Sequence, residues 1–125
     1  MANENLPPWL EALLRVEGAK HPDPDIRLVQ THVSYVLLAG DNVYKFKKPV
    51  NFGFLDFSDA DKRRYYCAQE LQLNRRLCPD IYLGLVEVTE ENGGFTLNGS
   101  GRPVECGVRM RRMPEERMMV NLIRA

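Results

Sequence analysis

Three charged residues carry the chemistry that this sequence points to: Lys45, Lys47 and Glu70. The lysines lie in the run Asn42-Val43-Tyr44-Lys45-Phe46-Lys47-Lys48-Pro49. Its pattern is that of a strand, in which residues two apart share a face. Val43, Lys45 and Lys47 therefore point one way, and Tyr44 and Phe46 the other. Glu70 falls in a helical segment where positions 66, 70, 73 and 77 share a face, otherwise occupied by Tyr66, Leu73 and Leu77. A carboxylate inside an apolar stripe is costly to bury without a cation. A lysine from the adjacent strand is the obvious supplier, which would make the two an ion pair. Two plainer readings stay open: the lysines as a solvated sheet face, and Glu70 as an acid at the edge of the stripe reaching water.

These residues need elements to hold them. Leu10, Leu13 and Leu14, spaced i, i+3, i+4 after Pro7-Pro8, predict a short amphipathic helix ending at Gly18. His21-Pro22-Asp23-Pro24-Asp25 is a loop, because a residue before proline is driven away from helix. From Ile26 to Lys48 strand-favouring residues predict three antiparallel strands. The first turn lies near Thr31-His32-Val33-Ser34, and Ala39-Gly40-Asp41-Asn42 closes a hairpin between Tyr35–Leu38 and Val43–Lys47. Pro49 ends the third strand. After the aromatic-rich connection Asn51–Phe57, Ser58 and Asp61 read as a capping box opening a long helix over 59–77. Its apolar face is Tyr66, Leu73 and Leu77, leaving Lys62, Arg63, Arg64, Arg75 and Arg76 for solvent or acidic partners.

Cys78-Pro79-Asp80 breaks that helix, and Ile81–Thr89, Phe95–Leu97 and Val104–Met110 read as strands. Glu115–Arg124 is helical in propensity. Strands and helices do not alternate regularly. The predicted class is α+β: an antiparallel sheet of about five strands with one long helix packed on it, preceded by a short N-terminal helix, with residues 1–125 forming one domain.

Bulk properties narrow the functions. A chain of 125 residues, 44% apolar and 27% charged, suits one globular domain with a modest core. Its formal net charge of zero argues against a nucleic-acid partner, even with Lys45, Lys47, Lys48, Arg75 and Arg76 as a patch. Cys67, Cys78 and Cys106 stand at no metal-ligand spacing with each other or with His21 and His32, so no metal site is expected. Unpaired cysteines suit a reduced, cytoplasmic setting. The sequence shows no signal peptide, and no apolar run nears the roughly 20 residues of a membrane span, so no membrane partner is expected.

Four stretches, in order, carry a resemblance: Val43-Tyr44-Lys45-Phe46-Lys47-Lys48-Pro49-Val50, Phe54-Leu55-Asp56-Phe57-Ser58, Glu70-Leu71-Gln72-Leu73-Asn74-Arg75-Arg76-Leu77 and Tyr82-Leu83-Gly84. They resemble the amino-terminal part of bacterial aminoglycoside phosphotransferase-like proteins. More narrowly, they resemble the group in which such a domain precedes a P-loop ATP-binding domain. The resemblance implies a protein-kinase-like fold, with this stretch as its small nucleotide-covering lobe. It implies that Lys45 contacts the nucleotide's α- and β-phosphates, with Lys47 as the competing candidate, and that Glu70 pairs with that lysine. Val108-Arg109-Met110-Arg111-Arg112-Met113-Pro114 would be the last lobe strand and the hinge, where backbone groups near Arg111 and Met113 would bind adenine. One departure stands out. The turn Thr31-His32-Val33-Ser34, which should cover the phosphates, has no glycine, and the Ser34 and Thr31 hydroxyls are the candidate substitutes. His32 reads as a surface residue.

The kinase-like fold keeps its catalytic aspartate and magnesium ligands in a second lobe, for which the residues after Met113 leave no room. The expectation is therefore a nucleotide-binding small lobe of a phosphotransferase, truncated before the catalytic lobe, inactive alone, and with no catalytic or metal-binding residue of its own. ATP and Mg are expected only in the complete protein. Its cleft-facing surface would serve self-association or a missing C-terminal lobe. The alternative is a non-catalytic binding or assembly module. The phosphate acceptor is not legible, because the second lobe supplies most acceptor contacts in this fold.

Overall fold

The computed structural model describes residues 6–20, 26–51, 53 and 56–112. The loop at 21–25, the hinge residue Met113 and the helical segment predicted over 115–124 lie outside the described residues. Among the described residues the order is α1 (Pro8–Lys20), β1 (Ile26–Gln30), β2 (Ser34–Ala39), β3 (Asn42–Lys47), α2 (Ala60–Leu77), β4 (Tyr82–Glu91), β5 (Gly94–Leu97) and β6 (Arg102–Arg111). The strands form one antiparallel sheet in the order β1-β2-β3-β6-β4-β5.

The α+β class matches the reading of the sequence, but the sheet has six strands rather than about five. The segment read as a strand over Phe95–Leu97 is β5, a short edge strand paired with β4 through the two-residue turn Asn92-Gly93. Those residues have φ of 55 and 79°, the left-handed values that such a hairpin turn requires. Helix α1 also runs two residues beyond Gly18, since one glycine weakens a helix without ending it.

The two helices cover opposite faces of the sheet. On one face Leu10 and Leu13 of α1 meet Tyr35, Leu37, Tyr44, Phe46, Val86 and Val88. Trp9 sets its edge against Phe46, with ring centroids 4.9 Å apart. On the other face Val36, Leu38, Val43, Val108 and Met110 pack against Cys67 of α2. The period of two in β3 thus sends Tyr44 and Phe46 to α1 and brings Lys45 and Lys47 out beneath α2.

Helix α2 departs from the sequence reading in two ways. Its N-cap is Asp59, whose Oδ1 accepts from the Lys62 amide at 2.8 Å. Ser58 does not cap; its hydroxyl donates to Asp56 Oδ1 at 2.6 Å. The expected apolar face is also wrong: Leu73 and Leu77 are 58% and 80% exposed, and Cys67 is the fully buried residue of the helix.

Charge pairing turned the helix. Arg63 grips Glu105 of β6 through Nε and Nη2 at 3.0 and 3.1 Å, and its Nη1 donates to the Phe57 carbonyl at 2.8 Å. Arg64 grips Glu87 of β4 with two bonds of 2.6 Å. In the last turn Arg75 Nη2 donates to the Leu83 carbonyl at 2.7 Å. Of the side chains expected to face solvent or acidic partners, Arg63 and Arg64 thus meet acids of the sheet itself, and Arg75 meets its backbone. No helix among the described residues is long and apolar enough to cross a membrane.

The sheet is tight where β3 meets β6. Gly107 lies opposite Phe46, and a Cβ there would come within 2.5 Å of the Phe46 ring and 2.8 Å of the Lys45 carbonyl oxygen. The ring cannot retreat, because Trp9 backs it. Gly107→Ala is expected to destabilise the fold by about 1–3 kcal/mol through overpacking. A urea titration checks this, and an unchanged midpoint would show that the contact relaxes freely.

Candidate functional site

The site starts from the β2–β3 register. Ser34 stands opposite Lys47 and Val36 opposite Lys45, so Ser34, Lys45 and Lys47 share the face beneath α2. Glu70 comes down from the middle of α2 and meets both lysines. Lys45 Nζ donates to Glu70 Oε2 at 3.2 Å, and Lys47 Nζ donates to Oε1 at 2.8 Å. The two lysines do not compete for the carboxylate; each takes one oxygen. All three side chains are largely withdrawn from water, at 7%, 10% and 14% exposure. Lys47 Nζ also lies 5.1 Å from the centroid of the Phe57 ring.

This arrangement fixes the protonation of Glu70. Burial alone pushes its carboxyl up, but attraction to Lys45 and Lys47 and the hydrogen bonds from both prevail, holding it below the usual carboxylate value. Two ammonium groups against one carboxylate leave a surplus of one positive charge. Among the described residues no second carboxylate pairs with either lysine. A buried surplus of this sign suits an anion.

There is room for one. A cavity of about 420 Å³ opens between the β2–β3 hairpin and α2, within the range of roughly 300–1,000 Å³ usual for small-molecule pockets. Ser34, Lys45, Lys47 and Glu70 line it on the polar side, and Phe57, Tyr66 and Leu73 on the apolar side. Ser34 is 1% exposed, and its hydroxyl has no hydrogen-bond partner among the described residues.

The turn that should cover the phosphates is tied off internally. Thr31 Oγ1 accepts from the amides of Val33 and Ser34 at 3.3 and 3.0 Å, and the Val33 carbonyl accepts from the Lys48 amide at 2.7 Å. Of the two hydroxyls expected there, Thr31 caps the turn and Ser34 lines the cavity. His32 is exposed, as expected. Arg111 sits away from this cluster: it pairs with Asn42, whereas Lys45 pairs with Val108. Three residues of strand separate them, about 10 Å. The Arg111 amide donates to the Ile81 carbonyl at 2.8 Å and its Nε to the Asp80 carbonyl at 2.9 Å, so both groups are engaged within the fold.

Sequence reasoning missed the apolar wall. Phe57 and Tyr66 meet edge to face, with centroids 5.1 Å apart, one from the connection and one from the helix. It also passed over Asn74, which lines the cavity and donates to the Glu70 carbonyl at 2.9 Å. The i, i+4 spacing of Asn74 from Glu70 was the available signal.

No family model and no solved structure matches the chain. Three curated mycobacterial proteins do, one from Mycobacterium bovis and two from strains of Mycobacterium tuberculosis, each described as an uncharacterized protein. Each is 36% identical over 108 residues, covering 84% of this chain and 20% of the relative. The chain thus spans about a fifth of the length of the curated relatives it matches.

Glu70→Gln would leave two buried ammonium groups without a counter-charge, and is expected to cost about 3 kcal/mol at neutral pH. Because folded Glu70 titrates below its unfolded value of about 4.5, acid protonates the unfolded chain first. The stabilisation is complete above that value and is lost as pH falls through the folded one. Urea melts of wild type and Glu70→Gln, taken from neutral pH to about pH 3, should therefore converge in acid. A constant difference across that span would rule out Glu70 as the ionised partner.

Proposed function

We propose that this chain is the nucleotide-holding small lobe of a kinase-like phosphotransferase, acting on a small molecule when joined to a catalytic lobe. The observation that carries the reading is the contact between β3 and α2: a buried strand lysine, held by a glutamate of the following helix, at the floor of an open cavity. Kinase-like proteins use this pairing to set a lysine against the α- and β-phosphates of ATP. The antiparallel sheet, with its one long helix after the third strand, is compatible with that lobe. The resemblance of Val43–Val50 and Glu70–Leu77 to aminoglycoside phosphotransferase-like proteins points the same way.

In this reading Lys45 neutralises phosphate charge and Glu70 keeps its ammonium in place. Catalysis of phosphoryl transfer is mostly positioning and charge stabilisation. Mg would be held by residues of the second lobe, so the lobe described here binds without turning over. The length of the curated relatives beyond the matched residues is room for such a lobe in those proteins. Lys47 also lies on Glu70, which leaves Lys45 replaceable without stranding the carboxylate.

A second reading, an assembly module, draws on a different observation. Tyr65, Leu73, Leu77 and Leu85 are 58%, 58%, 80% and 38% exposed on α2 and β4. A second lobe or a second copy of the chain would cover them.

Calorimetric titration with ATP tests the first reading. Lys45→Ala should weaken binding about tenfold or more, whereas Arg76→Ala on the exposed side of α2 should leave it unchanged. Equal affinity in Lys45→Ala and wild type would refute the assignment of Lys45, and no binding to the wild-type chain would favour the assembly reading.

A further inference from the structure

We infer that Cys67 and Cys106 form a modification site: a peroxide joins them in a disulfide that ties helix α2 covalently to strand β6. The inference is independent of the nucleotide reading and concerns two thiols which that reading does not use.

Their place in the fold comes first. Cys67 belongs to α2 and Cys106 to β6, 39 residues apart in sequence. Both sit in the core cluster between that helix and the sheet, at 1% and 2% exposure. Cys67 Sγ donates to the Cys106 carbonyl at 3.6 Å, and both cysteines are free thiols. A disulfide needs two cysteines brought face to face across a short gap, and the seat of α2 on β6 supplies that approach. Cys78, at the C-cap of α2, stands outside this cluster.

The two thiols are unequal. Hydrogen bonding with Cys106, and then burial, pushes the Cys67 thiol up. Hydrogen bonding with Cys67 holds the Cys106 thiol below its ordinary value against burial, and the Arg64 guanidinium adds to this. The thiolate is the nucleophile, so Cys106 attacks first. Its sulfur takes one oxygen atom from hydrogen peroxide and becomes a sulfenic acid, while the rest of the peroxide leaves as water. The Cys67 sulfur then attacks the Cys106 sulfur. The S–O bond breaks, the S–S bond forms, and the hydroxyl departs with the Cys67 proton as a second water. The two thiols are oxidised by two electrons, and the peroxide is reduced by two.

The manner in which α2 is held explains both the access and the effect. Cys67 is the one fully buried residue of the helix, and its other ties to the sheet are ionic: Arg63 to Glu105, Arg64 to Glu87, Glu70 to Lys45 and Lys47. A helix with so little apolar burial opens locally before the rest of the fold, and that opening admits a molecule as small as hydrogen peroxide. Once formed, the link fixes α2 three residues before Glu70, so the carboxylate stays over the lysines when the ionic ties are weakened.

The test uses the full chain carrying Cys78→Ser, which leaves Cys67 and Cys106 as the reactive thiols. The folded protein is treated with hydrogen peroxide, and its thiols are then counted with dithionitrobenzoate in urea. Both thiols should disappear together, with the intact mass lower by two hydrogens and a peptide pair joining Cys67 to Cys106. Dithiothreitol should restore both. The oxidised form should have a higher urea midpoint than the reduced one. Its α2 amides should exchange at least about tenfold more slowly. With Cys67→Ser added, dimedone should capture a sulfenic acid at Cys106. With Cys106→Ser added instead, Cys67 should stay unlabelled. The cross-link itself is read with both buried cysteines in place, so it does not depend on how those variants fold.

Four outcomes overturn the inference. One is two free thiols after peroxide treatment of the folded protein. Another is a link that forms only in urea, as a product of the unfolded chain. The third is a disulfide between two copies of the chain. The last is a lowered midpoint or unchanged exchange of α2, which would mean that the bond strains the fold or leaves the helix as it was.

Discussion

The burial of one carboxylate, Glu70, between two lysines governs how this fold is put together. Helix α2 has no continuous apolar stripe to drive it onto the sheet; Cys67 is its single fully buried residue. What seats it is a row of ionic ties: Arg63 to Glu105, Arg64 to Glu87, and Glu70 to Lys45 and Lys47. Such ties are stable only when every member is satisfied, because a buried charge left alone costs more than the pair gains. They also demand one geometry. A hydrophobic helix can slide or roll on a flat sheet; a helix held by three separate carboxylate contacts has one seat.

That arrangement is affordable because the opposite face of the sheet does the conventional work. Leu10, Leu13, Leu37, Phe46 and Val88 form an apolar core under α1. Strand β3 belongs to both layers, with Phe46 fixed by Trp9 above and Gly107 beside it. The lysines on either side of Phe46 in sequence inherit its rigidity. A strand clamped on its apolar face presents its polar face in a fixed place, which is what a binding site built from long, flexible side chains needs.

The parts legible in the sequence were those set by short-range periodicity. Alternation in Val43–Lys47 placed Lys45 and Lys47 on one face and Phe46 on the other, and the Gly40-Asp41 turn marked its hairpin. The pairing of Glu70 with a strand lysine was expected from a charge in a stripe read as apolar, although Leu73 and Leu77 of that stripe are exposed. The face of α2 was misread for a physical reason. Leu73 and Leu77 suggested an inward stripe, but the helix was turned by partners 42 and 23 residues away in sequence, Glu105 for Arg63 and Glu87 for Arg64. No local pattern contains that information. The isolation of the Ser34 hydroxyl and the wall formed by Phe57 and Tyr66 were hidden likewise, since each depends on elements that meet only in the folded chain.

Placing two lysines on one glutamate changes what the site can do. A single lysine and glutamate form a neutral pair, and an arriving anion must draw the lysine away from its partner. With two lysines the cluster is already charged in the sense that an anion requires, and neither ammonium has to leave Glu70 to meet it. Donors fixed before the ligand arrives lose little to reorganisation. The cost appears instead in the fold itself, as a buried positive surplus and a Ser34 hydroxyl without a partner among the described residues. For the proposed phosphate ligand, binding and folding are then linked: whatever neutralises the surplus also relieves the interface that seats α2. The same contact that holds the helix in place thus sets the charge that the cavity offers.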